Sequence, residues 1–200
     1  MRLKLWQAGE GLLRRRSRAL TPEQIRSDDV QRLIEWMRET MRDAPGVGLA
    51  APQVGVPIRL AVIEDLPEYI EKVPPQHAAE RDRTPIPFHV LINPELVPEG
   101  DQTAEFFEGC LSVAGWTALV PRALNVRVHC LNEKAEPLDI RAQGWYARIL
   151  QHEIDPLNGV LYVDRMRPRS LSTMENYMRY WKDSSSEELR AALGLTDSPA

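Results

Sequence analysis

The chain has 200 residues, 43% hydrophobic and 27% charged, proportions of a soluble globular protein rather than a disordered one. That length buries a core without disulfides or a second domain, and the two cysteines, Cys110 and Cys130, fit a reducing compartment. A net charge of −4 with interspersed signs offers no DNA groove, and no apolar run suggests a signal peptide or membrane span; a cytoplasmic protein is expected.

In chain order, Arg14-Arg15-Arg16 with Arg18 reads as solvated surface, with a polyanion contact as the alternative. Thr21-Pro22-Glu23-Gln24 has the form of a capping box with proline at the first helical position. Val30, Leu33, Ile34, Met37 and Met41 then recur at helical spacing, a core-facing stripe that stops at Pro45-Gly46. Residues 58–63 are rich in β-branched side chains and predict a strand. Pro67, Pro74, Pro75, Pro85 and Pro87 among many charges mark 66–87 as a surface loop, long for a compact domain.

Strand signals return at 88–92, 118–120, 126–131 and, more weakly, 138–141. Trp145, Ile149 and His152 share one helical face, closed by Leu157-Asn158-Gly159. Residues 186–195 suit a short amphipathic helix. The order of elements predicts an α+β fold with a helix packed against antiparallel strands.

Three segments offer chemistry. In residues 46–55, small side chains admit close backbone approach, and the Gln53 amide both donates and accepts; a plain connection is the alternative. In Glu108-Gly109-Cys110-Leu111-Ser112, the cysteine could be a buried hydrophobe, a nucleophile or a metal ligand, whereas Cys130 reads as strand packing. In an H-E-x-x-H helix, histidines four apart hold a metal and the glutamate acts as base. Here the fourth position after His152 is Pro156, so on its own His152-Glu153 reads as a surface pair.

Together, at intervals of about fifty residues, the three segments resemble the motifs of peptide deformylases, closest to the bacterial and organelle-type branch. The resemblance covers roughly residues 5–182 of one domain spanning 1–200, with 183–200 as a tail. It extends through 88–94, Val120-Pro121-Arg122, 144–148 and 161–166. It implies antiparallel sheets around a central metal-motif helix, and removal of the formyl group from the N-terminal methionine of new proteins. It implies Fe(II), with Ni, Co or Zn tolerated less equally, as the metal. The implied partners are formyl-methionyl nascent peptides and the ribosome, with no DNA or membrane.

By the same resemblance Cys110 and His152 are metal ligands and Glu153 the general base. Gln53 and the Leu111 N–H are oxyanion donors, a contribution worth roughly 3–4 kcal/mol each. Gly48 contacts substrate, and Val47, Trp145 and Ile149 line the methionine pocket, unless Trp145 and Ile149 only pack the helix. Glu108 and Arg122 form an ion pair beneath the site. The third ligand position is Pro156, which cannot coordinate; Asp155 or water would have to fill the gap. A non-catalytic binder of formyl-methionyl peptides or ribosomes is the alternative function. Because proline lacks an N–H and crowds the carbonyl four residues back, the helix should kink or end within two residues of Pro156. Asp155 should leave helical angles.

Overall fold

The computed structural model describes residues 2–44 and 46–195. Near the N-terminus, the capping box at Thr21 starts a helix, but only a short one, α1 (Pro22–Ile25). Ser27 then caps a second helix, α2 (Asp28–Asp43), whose first turn carries Asp28 and Asp29 against the positive end of the dipole. The apolar stripe therefore belongs to α2. Its Ile34, Met37 and Met41 are buried among Leu49, Leu60, Val62, Val90 and Ile92.

Strand β1 (Gly48–Ala50) leads through the 3-10 turn Ala51–Val54 to β2 (Leu60–Asp65), which starts two residues later than the β-branched run suggests. The expected loop at 66–87 instead holds two short helices, α3 (Pro67–Ile70) and α4 (Pro75–Glu80). Prolines read as loop markers start both helices, where a missing N–H costs nothing. His77 on α4 is buried, and Arg83 donates to both oxygens of Asp65 at 2.8 and 2.9 Å, tying the segment to β2.

Next come β3 (Ile86–Pro98), β4 (Thr103–Gly109), β5 (Trp116–Ala123), β6 (Asn125–Leu131) and β7 (Pro137–Gln143). Helix α5 (Gly144–Ile154) follows, then the 3-10 turn Pro156–Asn158, β8 (Ser172–Thr173), α6 (Met174–Tyr180) and α7 (Ser186–Ala192). One antiparallel sheet has the order β1-β2-β3-β6-β7 and the other β4-β5-β8. No helix among the described residues is long and apolar enough to cross a membrane.

Helix α5 buries Ala147, Ile149, Leu150 and Ile154 against Ile63, Leu91, Val126 and Val128 of the larger sheet. Each fully buried aliphatic side chain of this size contributes about 1.5–3 kcal/mol. Its other face presents Arg148 and His152 to the smaller sheet. The helix ends at Ile154, two residues before Pro156, as the proline requires. Asp155, however, keeps helical angles (φ −54°, ψ −50°), against the expectation for a residue preceding proline. Its carboxylate is held by Arg122 at 2.5 Å and by Arg165 at 2.8 and 2.9 Å, and this grip outweighs the local steric preference.

Candidate active site

Glu108, near the end of β4, is the hub of the site. Its Oε1 accepts from Arg122 Nε (3.0 Å) and Arg148 Nη1 (2.6 Å). Its Oε2 accepts from Arg122 Nη2 (2.9 Å) and His152 Nδ1 (2.8 Å). Burial alone would raise the Glu108 pKa, but the His152 hydrogen bond and the Arg122 charge hold it well below the usual carboxylate range. With Nδ1 committed to Glu108, the other ring nitrogen of His152 is left for Cys110, with which the imidazole also shares a hydrogen bond. Burial opposes charge on His152, but the bonds to Cys110 and Glu108 prevail and hold its pKa well above the ordinary value.

Cys110 follows β4 directly, and its Sγ accepts from Gln53 Nε2 at 3.3 Å. Gln53 is 2% exposed, and its Oε1 accepts from the Ala50 N–H at 2.8 Å. With the oxygen so engaged, the amide can turn only its NH2 toward Cys110. Glu153, beside His152 on α5, is buried, and its Oε2 has no hydrogen-bond partner among the described residues. Burial pushes its pKa up to about 7, the His152 charge offsetting only part of the effect. A carboxyl poised there suits proton transfer near neutral pH. Gly48 makes this placement possible, since a Cβ on it would run into the Glu153 carboxyl.

These groups open onto a cavity of about 750 Å³. Val47, Gly48, Gln53, Cys110, Leu111, Trp145, Ile149, His152 and Glu153 all line it, whereas Arg122 and Asp155, also singled out in the sequence, do not. The remaining histidines do not. His77 is buried in α4, His89 contacts Tyr146 at 2.9 Å, and His129 lies 3.5 Å from Asp139. Sequence reasoning missed the part played by Arg148, whose spacing of four from His152 on one helix was the available signal. It also missed the N-terminal Gln7, which donates to the Leu111 carbonyl at 2.9 Å and accepts from Ala114 N–H at 3.2 Å, bracing the turn that carries Leu111.

The family model for polypeptide deformylase matches residues 2–172. The chain belongs to the peptide deformylase family. It is 48% identical over 170 residues to the chloroplastic peptide deformylase 1A of Solanum lycopersicum, a match spanning 85% of this chain and 61% of that protein. It is 46% identical over 193 residues to peptide deformylase 3 of Streptomyces avermitilis, covering 96% of this chain and 84% of the relative. Among solved structures, the class I type b peptide deformylase of Acinetobacter baumannii bound to Met-Ala-Ser superposes with a TM-score of 0.74 at 31% identity, over 83% of this chain and 99% of that one. The α+β deformylase fold expected from the sequence is thus the observed one.

Peptide deformylases are metal-dependent hydrolases, and the donor set tests whether this chain suits a metal. Cys110 and His152 stand together as a thiol and an imidazole beside one cavity. A catalytic site of this kind normally has three protein ligands and an open position. Pro156 supplies no donor, and Asp155, the candidate replacement, is occupied by Arg122 and Arg165. Among the described residues no three His, Cys, Asp or Glu side chains are grouped to hold an ion. Among the described residues, the side chains present therefore do not fit a complete three-ligand metal site.

Proposed function

We propose that this chain, as a single domain over residues 1–200, removes the formyl group from formyl-methionyl nascent peptides in the cytoplasm, at a rate limited by weak metal retention. The observation that carries the reading is the convergence of Gln53, Cys110, His152 and Glu153 on one cavity. Val47, Trp145 and Ile149 would receive the methionine side chain, an apolar chain suited to an apolar wall. Gln53 Nε2 and the Leu111 N–H would donate to the formyl oxygen as it gains charge. Glu153 would take the proton of the attacking water and later give it to the leaving amine, the work for which a carboxyl titrating near 7 is fitted. Fe(II) is the proposed metal, held in part by Cys110 and His152, and the ribosome the proposed point of encounter.

Pro156 favours one competing reading, a binder of formylated peptides that no longer turns them over. Formate release from a formyl-methionyl peptide, measured anaerobically in excess Fe(II), separates the two. The enzyme reading predicts metal-stimulated release that falls by orders of magnitude in Glu153→Ala while peptide binding survives. Release no faster than in Glu153→Ala, with binding intact, establishes the binder instead.

A further inference from the structure

Two charged residues that the proposed reaction leaves unused, Asp65 and Arg83, meet at the tryptophan of the cavity wall. Asp65 ends β2, is 1% exposed and does not line the cavity. Its Oδ2 accepts from Trp145 Nε1 at 3.1 Å. Arg83 donates Nε to the same oxygen at 2.8 Å and Nη2 to Oδ1 at 2.9 Å. A bidentate guanidinium sets the plane of a carboxylate, so the oxygen that faces the indole is set with it.

The ring is held on its face as well as at its nitrogen. The Arg83 guanidinium lies 4.9 Å from the Trp145 ring centroid and that of Arg81 5.6 Å, both within cation–π range. Residues 81–83 are themselves pinned to the start of α5. Gln143 Nε2 donates to Asp82 Oδ2 at 2.8 Å, and a Cβ on Gly144 would lie 2.7 Å from Asp82 Cβ and 2.9 Å from the Arg81 carbonyl oxygen. Trp145 sits half-buried on the first turn of α5 beside an open cavity, where an unrestrained indole has room to change rotamer.

We propose that Asp65 is a positioning residue for methionine recognition, locking the Trp145 indole through its own hydrogen bond and through Arg83, so that the cavity keeps a wall of fixed shape. A fixed wall suits an unbranched thioether and rejects a branched side chain, whereas an indole free to turn admits both. The proposal rests on the reading of Trp145 as part of the methionine pocket, and its test separates the two. Recognition is read without turnover: Met-Ala-Ser, Ile-Ala-Ser and Ala-Ala-Ser, which carry no formyl group to lose, are titrated into the full chain with isotope-labelled tryptophan nitrogen and followed by NMR. The unmodified chain is compared with Asp65→Asn and with the double variant Asp65→Asn/Arg83→Gln, which removes both buried charges together. Trp145→Phe assigns the indole signal.

In the unmodified chain the Trp145 indole N–H should exchange slowly with solvent and shift on binding Met-Ala-Ser. That peptide should bind about ten-fold more tightly than either of the others. In both variants the N–H should exchange about ten-fold faster, and the preference for methionine over isoleucine should fall to about two-fold. Should Asp65→Asn fail to fold, the double variant carries the same criterion. A merely structural Asp65 would lower the unfolding midpoint and leave the preference as it was; that result overturns the proposal and leaves the pocket reading standing. An unmodified chain that binds all three peptides equally overturns the pocket reading and the proposal with it.

Discussion

Gly48 and Glu153 contend for the same space, and the glycine has to yield it. A Cβ at position 48 would collide with the Glu153 carboxyl, so Gly48→Ala must push that group out of its buried position. General-base catalysis contributes about 10²–10⁴-fold, and Gly48→Ala should lose on the order of 100-fold in single-turnover formate release. An unchanged rate would show that the Glu153 position is not critical. The two thiols should behave differently. Cys130 is buried in β6, and burial pushes its pKa from 9.0 up to about 11, whereas Cys110 lines the open cavity. In metal-free protein at pH 8, iodoacetamide should label Cys110 rapidly and Cys130 only on unfolding. Between pH 9.0 and about 11 the folded Cys130 holds its proton more firmly than the unfolded one, so stability should fall as pH rises through that window. Cys130→Ala should flatten that slope; a slope of equal steepness in the variant would assign it elsewhere. At this scale Gln53, Cys110, His152 and Glu153 were legible only through the resemblance carried by three segments together, since each segment alone left a plainer reading open. Arg148 was not, because its role depends on Glu108, buried opposite it.

Helix α5 and its exit turn show how an element absorbs an awkward residue. The sequence argument foresaw that the helix would stop short of Pro156, and Ile154 is its last residue. It did not foresee that Pro156 would become the first residue of a 3-10 turn, where its fixed φ is compatible and its missing N–H is no loss. Pro156→Ala should therefore change unfolding free energy by less than about 1 kcal/mol. A gain of several kcal/mol in urea denaturation would mean that the proline strains the turn after all. The Glu108 network should be far more sensitive. Its carboxylate and the Arg122 and Arg148 guanidinium groups are each almost fully buried, so Arg122→Ala leaves buried charge uncompensated and should cost about 3–5 kcal/mol. A loss below 1 kcal/mol would show that the pair is dispensable. Strand β4, which carries Glu108, escaped sequence reading because its burial, three exposed or half-buried residues followed by three buried ones, does not alternate. The helices α3 and α4 escaped because proline signals a loop and a helix start alike.

Across the whole molecule, two antiparallel sheets hold α5 between them, and the groups of the site come from three separate places in the chain. Residues 47–53, the end of β4 with the turn that follows it through Leu111, and α5 are far apart in sequence and meet at one cavity. The α+β class and this meeting were readable from motif order, since the segments match a family whose architecture is common to them. What order could not convey was the state of the carboxylates near the cavity: arginines tie up Glu108 and Asp155, while Glu153 Oε2 has no partner among the described residues. On the proposed function, the deformylase machinery is complete apart from one metal ligand. Anaerobic formate release from a formyl-methionyl peptide at limiting Fe(II), comparing the unmodified chain with Pro156→His, tests it most directly. The expected rate is at least ten-fold higher in Pro156→His, with near-stoichiometric iron retained after dialysis. A Pro156→His protein that holds iron fully yet releases formate no faster would contradict it.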